Sequence, residues 1–229
     1  DELALNLNHV CENEICWLEK KFNKGNISKK LKQIHFAPDQ PAKWKKNPNE
    51  WLNSLDIEHV MKQYENDYKN FEFLGPSPID FDLVKNNKCI EEEICKCDIV
   101  KKYNNGKHKL GMIFNLDPHY KGGSHWVSLF VDLDDNYIFF LDSNGDKIPK
   151  EIKKLVNRLQ KQAKNGLHKK LRFIDNAPTE HQHENTECGI YSLYNLISLL
   201  KKDKTPQQIK SKRIPDEDME EFRSIYFNA

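Results

Sequence analysis

The chain has no apolar run approaching the ~18 residues that a membrane-crossing helix needs, and no secretory signal opens it. The expectation is a protein that neither spans a membrane nor is exported. Charge of one sign is also missing: 36 Lys+Arg stand against 35 Asp+Glu, a formal net charge of +1 over 229 residues. Nucleic-acid binding by bulk attraction is therefore not indicated. The basic stretches Lys29–Lys32 and Lys201–Lys204 are local, and exposed lysine runs are ordinarily solvated surface. Internal repeats are lacking, and so are the paired cysteine spacings of structural zinc sites. Cys89, Cys95 and Cys97 do not fit such a site, nor do His181 and His183 with Glu180 and Glu184. No metal and no cofactor are expected. Six cysteines (Cys11, Cys16, Cys89, Cys95, Cys97, Cys188) in a chain of this length read as free thiols in a reducing compartment.

What is present suffices for a core, since 38% of the residues are hydrophobic. Two regions are expected: an N-terminal helical arm over residues 1–44 and a catalytic domain over 45–229. Apolar residues from Leu3 to Leu18 recur at helical spacing, and Ala37-Pro-Asp-Gln-Pro-Ala42 reads as a turn-rich linker. A helix is predicted over Asn49–Tyr68, with Gly75-Pro-Ser-Pro78 as a break after it. Residues 85–106 carry no clear pattern. Strands are predicted at Lys109–Leu116, His125–Leu133, Tyr137–Leu141 and Leu171–Asp175. Helices are predicted at Pro149–Lys164, Glu187–Leu200 and Asp216–Phe227. Helices gathered around a central sheet make an α+β domain.

Chemistry concentrates at four residues. Cys188 precedes a strongly apolar helix, and a thiol at a helix N-terminus is favoured as the nucleophilic thiolate. Gly189 follows, leaving the backbone open to a substrate. A nucleophile needs a base, and His125 opens a predicted strand after Gly122-Gly-Ser124. A base needs an orienting acceptor. Asp142 lies seventeen positions after His125, at the far end of the same predicted hairpin, where pairing brings the two together. Asn144 is a fallback acceptor. Gln182, six positions before Cys188, can donate its amide to a developing oxyanion. Singly, each has a plainer reading: a buried thiol, an edge-strand imidazole, a turn carboxylate, a solvated amide. Together, in the order His, Asp, Gln, Cys, they point to acyl transfer by a cysteine hydrolase.

These residues resemble the SUMO-protease superfamily, which includes the adenoviral protease. His125-Trp126, Asp142, Gln182 and Cys188-Gly189 carry the likeness, and Trp51-Leu-Asn-Ser-Leu-Asp-Ile-Glu58 is similar to an early motif of that family. A closer likeness is to the polyprotein-processing proteases of the African swine fever virus type in large DNA viruses. It rests on His125-Trp-Val-Ser-Leu-Phe-Val-Asp132, His181-Gln182, Thr186-Glu-Cys-Gly189, Ile214-Pro-Asp-Glu-Asp-Met219 and Phe222-Arg223, and it covers roughly residues 50–229. One departure is that this type carries Asn where this chain has Asp142. The resemblance implies a papain-like fold of the SUMO-protease/adenain type, a central mixed sheet flanked by helices. It implies catalysis by His125, Asp142, Gln182 and Cys188, and a narrow channel at Trp51 and Trp126 that admits a Gly-Gly segment. The expected partner is a protein cut after a Gly-Gly-type sequence: a viral core or capsid polyprotein, in the virion and host cytoplasm, or a ubiquitin-like tail, in cytoplasm or nucleus. Two further readings stand behind: an acetyltransferase using the same triad, and an inactive binder of a ubiquitin-like protein or polyprotein.

Overall fold

The computed structural model describes residues 37–228. The expected helix over residues 2–22, the Lys29–Lys32 stretch, Cys11 and Cys16 lie outside them.

Helix α1 (Ser54–Asp67) starts where its cap is. The Asn53 side chain accepts from the Leu55 and Asp56 N–H groups, and the Asp56 carboxylate accepts in return from the Asn53 N–H. Trp51 and Leu52 thus form a non-helical lead-in rather than the first turn that their spacing suggested. The helix buries Ile57, Val60 and Met61.

Strand β1 (Phe71–Pro78) follows and pairs in parallel with β4 (Lys109–Asn115). It contains the Gly75–Pro78 stretch expected to be a break. The register shifts between Leu74 and Ser77, and pairing resumes at Ser77 opposite Phe114. An edge strand accepts proline because only one of its sides must donate to a neighbour.

The patternless region holds a two-stranded ribbon, β2 (Val84–Lys85) and β3 (Lys88–Cys89), then the short helices α2 (Glu92–Cys95) and α3 (Ile99–Asn104). Here the expectation of free thiols is corrected. Cys89 and Cys95 form a disulfide, because the ribbon turns the chain back onto α2 and brings their Cα atoms within 6.3 Å. Cys97 is free and buried, and burial pushes its thiol up to about 11.

The main sheet has five strands in the order β1-β4-β5-β6-β7, with β5 (Trp126–Asp132), β6 (Tyr137–Leu141) and β7 (Arg172–Asp175). Antiparallel pairing of β4, β5 and β6 between two parallel edges makes it mixed. All seven residues of β5 are buried. Its Val127, Leu129 and Val131 face one core with Ile152, Leu155, Val156 and Leu159 of α4 (Lys150–Leu167). Its Trp126 and Phe130 face the other, with helix α5 (Cys188–Lys201). Burial of one such aliphatic or aromatic side chain is worth about 1.5–3 kcal/mol, so the hairpin that carries the site is clamped on both faces.

Helix α6 (Pro206–Ser211), capped by Thr205 and Gln208 in a reciprocal box, was not anticipated. Helix α7 (Asp216–Tyr226) closes the chain. Trp44, one residue before the expected domain boundary, is buried edge-on against Phe227, with the Arg223 guanidinium 4.6 Å from its ring. The segment just before α1 is therefore part of the core packing.

Candidate active site

His125 sits immediately before β5, and Asp142 immediately after β6. The ladder between them pairs Ser128 with Leu141, so both ends emerge at the same edge of the sheet. There His125 Nε2 lies 2.7 Å from Asp142 Oδ1. Asp142 is buried, and His125 is nearly so. This is the pairing that the hairpin register implied.

Each partner is held from behind. The Asn115 carboxamide oxygen accepts from the Ser124 and Asp117 N–H groups, gathering the loop that leads to His125. Gly123, at φ +97°, fits there because a side chain would collide with Asn115. The Asp142 backbone is gripped twice by the Asn176 side chain: its N–H donates to Oδ1 at 3.0 Å and its C=O accepts from Nδ2 at 2.7 Å. The Asn144 N–H donates to Asp142 Oδ1 at 2.9 Å. Asn144 thus supports the carboxylate instead of replacing it. Asn176 carried no motif and was not foreseen.

Cys188 is the first residue of α5 and is buried. Its sulfur is near enough to act on the His125 ring, whose Nε2 is engaged by Asp142, which leaves Nδ1 as the ring nitrogen open to the sulfur. Burial opposes a charge on His125. The hydrogen bond to Asp142, the Cys188 sulfur and the Asp142 charge outweigh it and raise the imidazole from 6.5 to about 10. The site thus favours the protonated ring, placed to hold the proton that the Cys188 sulfur gives up.

Gln182 is buried on the loop before Cys188. Its Oε1 accepts from the Ser143 hydroxyl at 2.7 Å, and its Nε2 donates to the Glu184 carbonyl at 2.7 Å. The Ser143 carbonyl accepts from the His181 and Gln182 N–H groups. Asp142 and Gln182 therefore share a brace, with Ser143 as the link. Gly145, at φ +74°, lets the turn after Asp142 press against residues 178–180, where a side chain would clash with backbone.

The Gln182 loop is anchored from behind by α7. Ile214 N–H donates to His181 Nδ1 at 3.1 Å, and Asp216 Oδ2 accepts from the His183 N–H at 3.0 Å. Tyr191 donates to the Ile214 carbonyl at 2.9 Å. Burial, then Arg213, lowers His181 to about 4, so it is a neutral structural histidine. The Ile214–Met219 stretch, which entered the sequence reading only as part of the family likeness, builds this support. Arg223 of the same helix donates to the Glu50 carbonyl and to the Thr186 carbonyl, joining the Trp51 lead-in to the Cys188 loop. Among the described residues, no group of three or more His, Cys, Asp or Glu is placed to hold a metal ion.

The residues expected at the substrate divide. Trp126 is buried, its indole N–H donating to the Leu52 carbonyl at 2.9 Å. Trp51 is 39% exposed and lines, with Leu52 and Trp126, a groove of about 600 Å³. Gly189 is buried against Leu52: a Cβ there would sit 2.9 Å from the Leu52 Cβ. Glycine at 189 thus brings the Trp51–Leu52 segment up to the start of α5.

A sulfur, an imidazole and a carboxylate in a row on an α+β scaffold define the architecture of a thiol hydrolase. The chain belongs to the Ulp1 protease family: the signature of that family's C-terminal catalytic domain matches residues 61–229. A protein of Acanthamoeba polyphaga mimivirus named as a thiol protease is 28% identical over 222 residues, spanning 95% of this chain and 70% of the relative. The SUMO-1 cysteine protease of African swine fever virus (isolate Warthog/Namibia/Wart80/1980) is 27% identical over 236 residues, spanning 95% and 83%. Among solved structures, the protease of African swine fever virus superposes with a TM-score of 0.72 at 22% identity, covering all of this chain and 90% of the other. The yeast Ulp1 protease domain, solved with the SUMO orthologue Smt3, gives 0.54 at 20% identity, covering 79% and 76%. The fold is thus the SUMO-protease type, as expected. The protein is a cysteine protease, a hydrolase acting on protein substrates. No described helix is long and apolar enough to cross a membrane.

Proposed function

We propose that Cys188 is the nucleophile of an endopeptidase that cuts after Gly-Gly-type sequences, with His125 as acid and base and Asp142 as its orienting partner. The observation that carries this is the His125–Asp142 hydrogen bond of 2.7 Å, with Cys188 close enough to act on the same ring. In the first half-reaction the proton of the Cys188 thiol passes to His125 and the sulfur attacks the scissile carbonyl carbon, whose oxygen becomes an oxyanion. Gln182 Nε2 has a second N–H to offer that oxygen, beside the Cys188 backbone N–H; such a donor is typically worth ~2.7–4 kcal/mol. The C–N bond breaks as the His125 imidazolium gives its proton to the leaving amine. Water then attacks the thioester, His125 takes the water proton, and the acid product leaves as the sulfur is restored.

A Gly-Gly preference is supported by the walls of the groove. Trp51, Leu52 and Trp126 line the groove with large side chains, and Leu52 packs on Gly189 at the start of α5, which suits substrate positions that have no side chain. Residues 45–229 form the catalytic unit in this reading, with residues 1–44 as an appended arm. Relatives in large DNA viruses support a role in processing core or capsid polyproteins, in the virion and the host cytoplasm. The test is a panel of fluorogenic peptides ending in Gly-Gly, with SUMO and ubiquitin substrates beside them, turned over by wild type and Cys188→Ala. Cleavage of the peptides that vanishes in the variant, with SUMO and ubiquitin left intact, supports the polyprotein reading. A strong preference for a folded ubiquitin-like substrate replaces it with deconjugation.

A further inference from the structure

The groove beside Trp51 and Trp126 is walled on another side by Ile90 and Glu91. Its other charged lining groups are matched. Lys43 pairs with Glu50 at 2.8 Å, Lys121 lies 3.9 Å from Asp117, and His119 lies 2.7 Å from Asp80. The Glu91 carboxylate, half-buried, has no ion pair and no hydrogen bond among the described residues. Burial, then the neighbouring Glu93, raises its carboxyl above the ordinary value, as befits an acid without a cation.

The Glu91 backbone is also held in place. Its N–H donates to the Phe81 carbonyl at 3.0 Å, and its C=O accepts from the Cys95 N–H at 2.9 Å. The Ile90 N–H donates to the Leu83 carbonyl at 3.0 Å. The Cys89–Cys95 disulfide closes the loop around it, and Arg158 of α4 donates to the Ile94 and Cys95 carbonyls. Partly desolvating a carboxylate without a partner costs free energy, and the braced backbone keeps the residue at the wall of the groove. That arrangement suits a group whose partner arrives with the substrate.

We propose that Glu91 is a specificity-determining residue that selects a Lys or Arg side chain in the substrate, on the N-terminal side of the Gly-Gly segment. The side follows from the proposed function, on which this rests: Trp51 and Trp126 line the positions just before the cut, and Glu91 shares their groove. A cation there gains a charge pair in a partly desolvated site. The expected gain is about fivefold in kcat/KM for a basic over a neutral residue, and a larger penalty for an acidic one. Salt shrinks the preference because the site opens to solvent.

The test uses the full chain on a peptide library derived from a digested proteome, with cut sites read by mass spectrometry for wild type, Glu91→Gln and Glu91→Lys. Enrichment of Lys and Arg before the cut in wild type, lost in Glu91→Gln and turned into enrichment of Asp and Glu in Glu91→Lys, supports the proposal. Each enrichment is internal to one enzyme, so a variant of lower overall activity still reports. Cuts after Gly-Gly with no basic enrichment, or with enrichment unchanged in both variants, overturn it while leaving the proposed function standing. Basic enrichment without Gly-Gly at the cut overturns the Gly-Gly reading and keeps Glu91 as a selector. No cutting by wild type overturns both.

Discussion

The Ser143 hydroxyl donates to Gln182 Oε1 at 2.7 Å, across 39 positions of sequence. Because Ser143 adjoins Asp142, the carboxylate bonded to His125 and the amide proposed for the oxyanion are set by one turn. Two bonds orient the Gln182 amide: the Glu184 carbonyl, which can only accept, takes an Nε2 hydrogen, and the Ser143 hydroxyl donates to Oε1. Gln182→Ala removes the oxyanion donor and is expected to lower kcat by about 10²–10³-fold. Ser143→Ala leaves the amide held only by the Glu184 carbonyl and is expected to lower kcat by roughly tenfold with KM little changed. The double variant should be no slower than Gln182→Ala alone, because Ser143 acts only through Gln182. Additive losses would show that Ser143 acts by another route.

The pH dependence follows from His125. Its folded value, about 10, lies above 6.5, so the charged ring and its contribution to stability are complete below 6.5 and are lost as pH rises through about 10. Activity should therefore hold through neutral and mildly alkaline pH and fall toward pH 10. Asp142→Asn removes a carboxylate that raises His125, so the alkaline limb should move to lower pH. A pH profile of kcat/KM for both forms checks this. An unmoved limb would assign it to another group.

His181 sets an acid limit. Its folded value, about 4, lies below 6.5, so the folded state resists the proton that the unfolded chain accepts. The stability from keeping it neutral is present above 6.5 and is lost progressively as pH falls toward about 4. Thermal unfolding should show Tm falling over that window, and His181→Gln should flatten the fall while lowering Tm at neutral pH through loss of the Ile214 bond.

Gly189→Ala should destabilise by about 1–3 kcal/mol, the usual cost of overpacking a filled core. The added Cβ meets Leu52, whose carbonyl holds the Trp126 indole, so activity should drop with stability. Leu52→Ala in the same chain should restore part of the lost Tm by making room. Failure to do so would mean that Gly189 is needed for its backbone alone.

The site was legible in sequence where local pattern fixes geometry. A hairpin of alternating residues placed His125 and Asp142 at one end, and an apolar helix placed Cys188 at its own start. What was not legible came from contacts distant in sequence. Asn176 and Ser143 are ordinary polar residues until the fold brings them to Asp142 and Gln182. The β1 strand was hidden by Gly75 and Pro76, whose turn chemistry is overridden by pairing with β4 on a free edge. The Cys89–Cys95 bridge was hidden because spacing alone does not say that a ribbon folds back onto α2. The lead-in at Trp51 read as helix because its apolar spacing continues that of α1, and only the Asn53 cap marks the true start.

The account rests on Cys188 being the nucleophile, and covalent capture tests that most directly. A Gly-Gly peptide ending in an electrophile that traps thiolates would be incubated with the protein, and the modified residue located by mass spectrometry. The account predicts one adduct, on Cys188, formed far more slowly in His125→Ala and absent when the peptide ends in a bulky residue. An adduct on Cys97, or capture of Cys188 at an equal rate without His125, would contradict it.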